Sequence, residues 1–228
     1  MRIVSRLLPQ GFRNRLRHAF DSWYSKQLPD KETIGVLSQW TILTRDMGPH
    51  TVMYSGGVGE DITFEQELIR RFGLKIHIFD PSPVAQRTIT LANNERLLFR
   101  PLGLAASGNA TFSVGGGTDD ATWFKAGGTG SLPCTSIPRE MALNGHSFID
   151  VLKIDIEGFE YEVLENCLAE RIPIKQICVE FHDFFPDVTR AQTKKMIRAI
   201  ESHGYDLIHR HRHDHTFLLR DAALGKYV

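Results

Sequence analysis

The sequence predicts an α/β fold, a doubly wound and mostly parallel sheet with a C-terminal antiparallel hairpin strand. Three observations carry this. From Val36 onward, short apolar runs alternate with helical patterns, the order expected of parallel strands joined by crossover helices. The first clear run, "HTVMYS", ends in "GGVG", a glycine cluster suited to a sharp strand-to-helix turn. The last two runs, "YDLIHR" and "HTFLLR", leave no room for a helix between them, so they close as a hairpin with one antiparallel strand in the sheet.

Residues 1–35 stand apart as a basic amphipathic helical extension. Arg2, Arg6, Arg13, Arg15, Arg17 and Lys26 are interleaved with Ile3, Leu7, Leu8, Phe12, Leu16, Phe20 and Trp23. Leu16, Phe20 and Trp23 share a helical face at i, i+4 and i+7. Such a face packs on the domain, packs on a second copy of the chain as a homodimer, or lies on a membrane surface. Arg6 and Pro9 interrupt the one apolar stretch here, so no cleaved signal is expected. "LPDKET" reads as a linker or helix start, and residues 36–228 as the main domain.

Within that domain, "TFEQELIRRFG" follows the glycines as a helix, and "LKIHIFD" is a second strand. "PVAQRTITLANN" is a helix ending at an Asn pair, and "RLLFRPLGLA" a third strand. Residues 107–131, rich in Gly, Thr and Asp, read as a long loop or irregular hairpin. There Trp123 and Phe124 suggest an acceptor-binding lid. "DVLKID" is a fourth strand, with "YEVLENCLAE" a helix after it; "KQICVEF" is a fifth strand. "TRAQTKKMIRAIESHG" is a helix stopped by Gly204, and "HRHDH" the solvated turn of the closing hairpin.

Composition excludes several classes. The formal net charge is +0, which argues against a nucleic-acid binder that neutralises phosphates. No apolar run reaches the ~18 residues of a membrane span. Cys134, Cys167 and Cys178 are too few and too scattered for a disulfide framework or zinc cluster. They read as buried thiols of a reducing, cytoplasmic compartment.

Ligands of doubly wound sheets lie beyond the C-terminal strand ends, where Gly56, Gly57 and Gly59 fall. A dinucleotide loop would bring a pyrophosphate onto the helix N-terminus. Here Glu60 and Asp61 stand at that position, and two carboxylates repel a pyrophosphate. They suit a ligand with a sulfonium and an ammonium, and S-adenosyl-L-methionine carries both. Asp80, about twenty residues on, ends the second strand in "FDPSP" and can accept adenosine ribose hydroxyls. A nicotinamide cofactor would use the same acid, so the acids after the loop make the choice.

The segment "FIDVLKIDIEGFEYEVLENC", with "YSGGVGEDITFE" and "FDPSP", resembles the FkbM-type S-adenosylmethionine-dependent methyltransferases. Lys153, Asp155, Glu157, Gly158 and Glu160 match the family pattern, and the resemblance covers roughly residues 48–210. It implies a Rossmann-like class I methyltransferase fold and methyl transfer, commonly to an oxygen of a sugar or natural-product hydroxyl. The chain departs from the general first motif at Ser55, where an acid is usual, and at Asp61, where a glycine is usual. The expected cofactor-binding residues are Ser55, Gly57, Gly59, Glu60, Asp61, Asp80, Pro81, Gly103 and Asp155.

Asp155, Glu180 and His182 end adjacent strands and are the expected catalytic residues. Acids at that edge either hold a divalent cation such as Mg, with these same three as ligands, or take the proton of a substrate hydroxyl. His182 is the first choice as proton acceptor. The partner expected is a small-molecule or glycan acceptor. Two rival functions are an NAD-dependent oxidoreductase, which shares the fold and Asp80, and a non-catalytic adapter binding through the N-terminal helix.

Overall fold

A computed structural model describes residues 25–106, 111–114, 130–185, 188–221 and 226–227. Residues 1–24 of the expected helical extension at 1–35, and the expected lid residues Trp123 and Phe124, lie outside these.

The central sheet is built from β3 (Val52–Gly56), β4 (Lys75–Phe79), β5 (Leu97–Arg100), β9 (Ile149–Ile154), β10 (Ile174–Glu180), β11 (Tyr205–His211) and β12 (Asp214–Asp221). Their order across the sheet is β11-β12-β10-β9-β3-β4-β5, and a short β13 (Lys226–Tyr227) pairs with β12. β5, β4, β3, β9 and β10 run parallel; β12 is antiparallel to both its neighbours, β10 and β11. This is the closing hairpin read from the sequence. The chain order reverses between β3 and β9, which opens a crevice at their C-terminal ends.

Side-chain alternation along the strands feeds two cores, one on each face. Met53, Ile76, Ile78, Val151 and Cys178 pack with Phe64 and Leu68 of α1 (Thr63–Phe72) and Ala85 of α2 (Pro83–Ala92). Their neighbours Tyr54, Leu152, Ile177 and Val179 pack on α3 (Ile137–Asn144), α4 (Glu160–Ala169) and α5 (Arg190–Ser202). Helix ends follow local chemistry. Ser82 caps α2 by accepting from the Ala85 N–H, with Pro83 in its first turn, and Asn93 ends it in the left-handed region at φ 44°. Thr189 and Gln192 form a reciprocal capping box on α5.

Three expectations are corrected here. "LPDKET" is not a linker, because Lys31–Ile34 is strand β1, paired antiparallel with β2 (Trp40–Leu43). That hairpin belongs to the folded body: Ile34, Trp40 and Ile42 are core residues, and the Gln176 side chain bridges both backbone groups of Leu43 (2.8 and 2.9 Å). The third strand is split. After β5, β6 (Gly103–Leu104) leaves for a small sheet with β7 (Thr111–Val114) and β8 (Gly130–Thr135). The histidine-rich turn is only Arg212 and His213, since β11 runs to His211 and β12 begins at Asp214.

The three cysteines are buried, and burial pushes the Cys167 and Cys178 thiols up to about 12, so they are inert packing groups. No helix among the described residues is long and apolar enough to cross a membrane.

Candidate active site

β3 turns at Gly57, whose N–H donates to the Phe79 carbonyl (2.9 Å) while the Asp155 N–H donates to Gly56 (3.0 Å). β3 and β9 come so close that a Cβ on Gly57 would lie 1.7 Å from the Asp155 carbonyl oxygen. Together with a φ of +72°, this makes glycine obligatory there. Lys153, buried beneath the loop, donates to the Gly57 carbonyl and lies 5.4 Å from the centre of the Trp40 ring.

Above this turn is a cleft of about 410 Å³. Eight of the nine residues expected to bind a cofactor, Gly57, Gly59, Glu60, Asp61, Asp80, Pro81, Gly103 and Asp155, line it together. Phe79, Val84, Leu104, Ile156 and Phe159 give it apolar walls.

Ser55 does not belong to it. Its hydroxyl is buried and donates to Glu65 Oε1 of α1 (2.7 Å), so it joins strand to helix inside the core. Two other expected residues line the cleft and also hold backbone N–H groups. Asp80 Oδ2 accepts the Val58 and Gly59 N–H groups (2.8 and 3.0 Å), and Oδ1 accepts that of Ser82 (2.8 Å). It therefore shapes the glycine loop from below. Asp61 Oδ2 accepts the Leu37 and Ser38 N–H groups (3.1 and 2.7 Å), and Oδ1 that of Thr63 (2.9 Å). Burial opposes its charge, but these hydrogen bonds hold its carboxyl below the usual range. Glu60 is the exposed acid that remains at the loop.

At the far end of the cleft the strand tips bring acids together. His182 is buried; its ring Nδ1 lies 3.2 Å from Glu160 Oε1, which also accepts the His182 N–H (2.8 Å). Its Nε2 faces Glu157 Oε2 (3.4 Å) and Asp155 Oδ1 (3.6 Å). Burial works against the imidazolium, but Glu160, Glu157 and Asp155 outweigh it and carry His182 up to about 9. The three carboxylates thus favour the protonated ring. His182 therefore sits among three carboxylates, with Glu160 on Nδ1 and Glu157 and Asp155 facing Nε2.

On the next strand, burial first, then Asp155 and Asp214, raise Glu180 well above an ordinary carboxylate. Asp214, its register partner on β12, is raised to about 7 by burial and Asp155. Glu180 and Asp214 line a second cleft of about 450 Å³, which adjoins the first at Leu37.

The metal set expected, Asp155, Glu180 and His182, is not the one that converges. Asp155, Glu157 and His182 each bring one ligand atom within 4.8 Å of the others. Glu157 is the residue the sequence undervalued. It lines the first cleft at φ 56°, a conformation costly for a residue with a Cβ, and its place in "DIEGFE" is the available signal.

With this geometry in hand, comparison with known proteins is decisive. The "Methyltransferase FkbM domain" model matches residues 57–207. The chain belongs to the FkbM methyltransferase family. Its matched span runs from the glycine turn through the acid cluster to β11, so both lie inside the family domain. Among curated relatives, "Probable methyltransferase-like protein 24" of Rattus norvegicus is 27% identical over 170 residues, 70% of this chain and 43% of that protein. The Homo sapiens protein of that description is 26% identical, over 70% of this chain and 42% of its own length. The chain thus spans less than half the length of the curated relatives it matches. Among solved structures, the fibrillarin pre-rRNA processing protein of Methanococcus jannaschii aligns over 84% of this chain and 83% of its own, with a TM-score of 0.42 and 13% identity.

Proposed function

We propose that this methyltransferase uses S-adenosyl-L-methionine to methylate a hydroxyl, on a sugar, a glycan or a small secondary metabolite. The observation that carries this reading is the run of strand tips Gly57, Asp155, Glu180 and Asp214, which leads from the glycine turn through a carboxylate pair into the second cleft. The first cleft suits the cofactor. Its volume falls within the range of small-molecule sites, its walls are apolar, and its exposed acid is Glu60. A Cβ on Gly59 would meet nothing within 4 Å, so that residue faces open space where a ligand can approach the backbone.

When bound, the cofactor supplies an electrophilic methyl carbon: the acceptor O–CH3 bond forms as the S–CH3 bond breaks, and S-adenosylhomocysteine leaves. The protein positions the two reactants and takes one proton. Glu180 is the acceptor for that proton. It lines the second cleft beside Asp214, and its carboxylate form, the minor one at neutral pH because burial and Asp155 raise it to about 8, is a stronger base than an ordinary carboxylate and gains population as pH rises. His182 keeps Asp155, Glu157 and Glu160 in place. A nicotinamide oxidoreductase is disfavoured by the family match and by an acidic loop that repels a pyrophosphate.

A second reading has one observation in its favour. The convergence of Asp155, Glu157 and His182 fits a divalent cation whose ligands would include a deprotonated His182 Nε2, with Nδ1–H held by Glu160.

The test is transfer of a labelled methyl group from S-adenosyl-L-methionine to a mixed pool of glycosides and phenolic alcohols. Glu180→Gln is expected to lower transfer by about 10² or more while S-adenosylhomocysteine affinity stays within a few-fold. Full transfer by Glu180→Gln would remove Glu180 from the chemistry.

A further inference from the structure

The second cleft has an unusual rim. Five large apolar side chains are exposed among the described residues, and two of them line this one mouth, Leu37 and Phe184, at 86% and 53% exposure, with the exposed Val36 next to Leu37 in the chain. Scattered exposed apolar residues are ordinary, but a contiguous group at a cavity marks a ligand groove.

These side chains are held in place. The β1–β2 turn that carries Val36 and Leu37 is pinned to the start of α1 by three hydrogen bonds. The Val36 N–H donates to Thr63 Oγ1 (2.9 Å), and the Leu37 and Ser38 N–H groups donate to Asp61 Oδ2. Across the cleft, Phe184 is set edge-on against Phe185 (5.0 Å) and His213 (4.8 Å). The fold therefore fixes two apolar walls in water, while the floor between them is polar, made by Glu180 and Asp214 with Arg212 beside them.

We propose that this cleft is the acceptor subsite and that it takes an amphipathic alcohol. The hydroxyl-bearing end would meet Glu180 and Asp214, and an apolar body would lie across Leu37 and Phe184. A bare polyol would leave the rim wet, and a purely apolar molecule would leave the floor carboxylates without partners. This rests on the methyltransferase reading above, since that reading is what makes the second cleft the acceptor's side.

The test uses two probes with one head group: octyl β-D-glucopyranoside, kept below its micelle concentration, and methyl β-D-glucopyranoside. Protein saturated with S-adenosylhomocysteine is titrated with each by calorimetry. The octyl compound is expected to bind at least tenfold tighter. Phe184→Ser should shrink that advantage to less than threefold, whereas Phe184→Leu, which keeps an apolar wall, should preserve it. Both variants should bind S-adenosylhomocysteine as the parent does. Equal affinity for the two glucosides, binding of neither, or an advantage that survives Phe184→Ser would overturn the proposal and leave the cofactor reading intact. Failure of S-adenosylhomocysteine itself to bind would instead overturn the reading beneath it.

Discussion

Asp80 sits beside the cleft yet spends both carboxylate oxygens on three backbone N–H groups. Its spacing from the glycines was visible in the sequence, but its partners were not, because backbone N–H groups carry no residue signature. Asp80→Ala leaves buried donors unpaired at the loop. We expect a loss of about 2–4 kcal/mol in stability by urea denaturation, together with at least tenfold weaker S-adenosylhomocysteine binding. Glu157 gives the opposite sign. At φ 56° it is strained, and burial raises its carboxyl, with Asp155 adding to the effect against the opposing pull of His182. Glu157→Gly should therefore raise thermal stability, by about 1 kcal/mol from relief of the backbone, while lowering methyl transfer. Lower stability in that variant would show that Glu157 is held by favourable contacts and stores no strain. His182 shows where reading along the chain stops. Its position at a strand tip was legible, but its charge depends on Glu160, twenty-two residues away in sequence and in direct contact in space.

At the scale of elements, the long periodic segments were legible and the short ones were not. "TRAQTKKMIRAIESHG" carries its own cap, apolar face and stop, and it is a helix as read. "IPREMALN" is also a helix and was missed, although Ser136, Pro138 and Gly145 mark both its ends. Eight residues give too little periodicity to register. The β1–β2 hairpin was missed for a related reason: each strand has four residues, and what fixes the pair is a side chain far along the chain. Gln176→Leu removes both hydrogen bonds to Leu43 and leaves two buried backbone groups unpaired. It should cost about 2–4 kcal/mol and loosen the turn that carries Leu37. Native-state hydrogen exchange at residues 40–43 would report this as faster exchange confined to the hairpin. Unchanged exchange would mean that core packing of Trp40 and Ile42 alone holds it.

For the whole molecule, the strand–helix alternation fixes a doubly wound sheet, and the missing last crossover fixes the antiparallel strand. Both are chain-order properties, readable without contacts. The charge economy of the acid cluster is a property of the assembled fold. Asp214 is raised from 3.8 to about 7 and His182 from 6.5 to about 9, so the native state holds protons that the unfolded chain releases. Both groups stabilise fully below their unfolded values and lose that contribution as pH rises through the folded ones. The window is thus 3.8 to 7 for Asp214 and 6.5 to 9 for His182, and the sign is the same. Thermal stability should fall by several degrees between pH 6 and pH 9, and His182→Gln should flatten the upper part of that slope. Prolonged dialysis against a chelator should leave methyl transfer within about twofold if His182⁺ is the resident cation. A loss restored by Mg²⁺ or Mn²⁺ would favour the cation reading.

The central claim is that the glycine turn and its acids form a site for a sulfonium cofactor rather than a dinucleotide. Calorimetric titration of the full chain with S-adenosylhomocysteine and, separately, with NAD tests it most directly. The account predicts micromolar binding of S-adenosylhomocysteine that Asp80→Ala weakens at least tenfold, and no measurable heat with NAD. Binding of NAD in place of S-adenosylhomocysteine, or of neither, would contradict it.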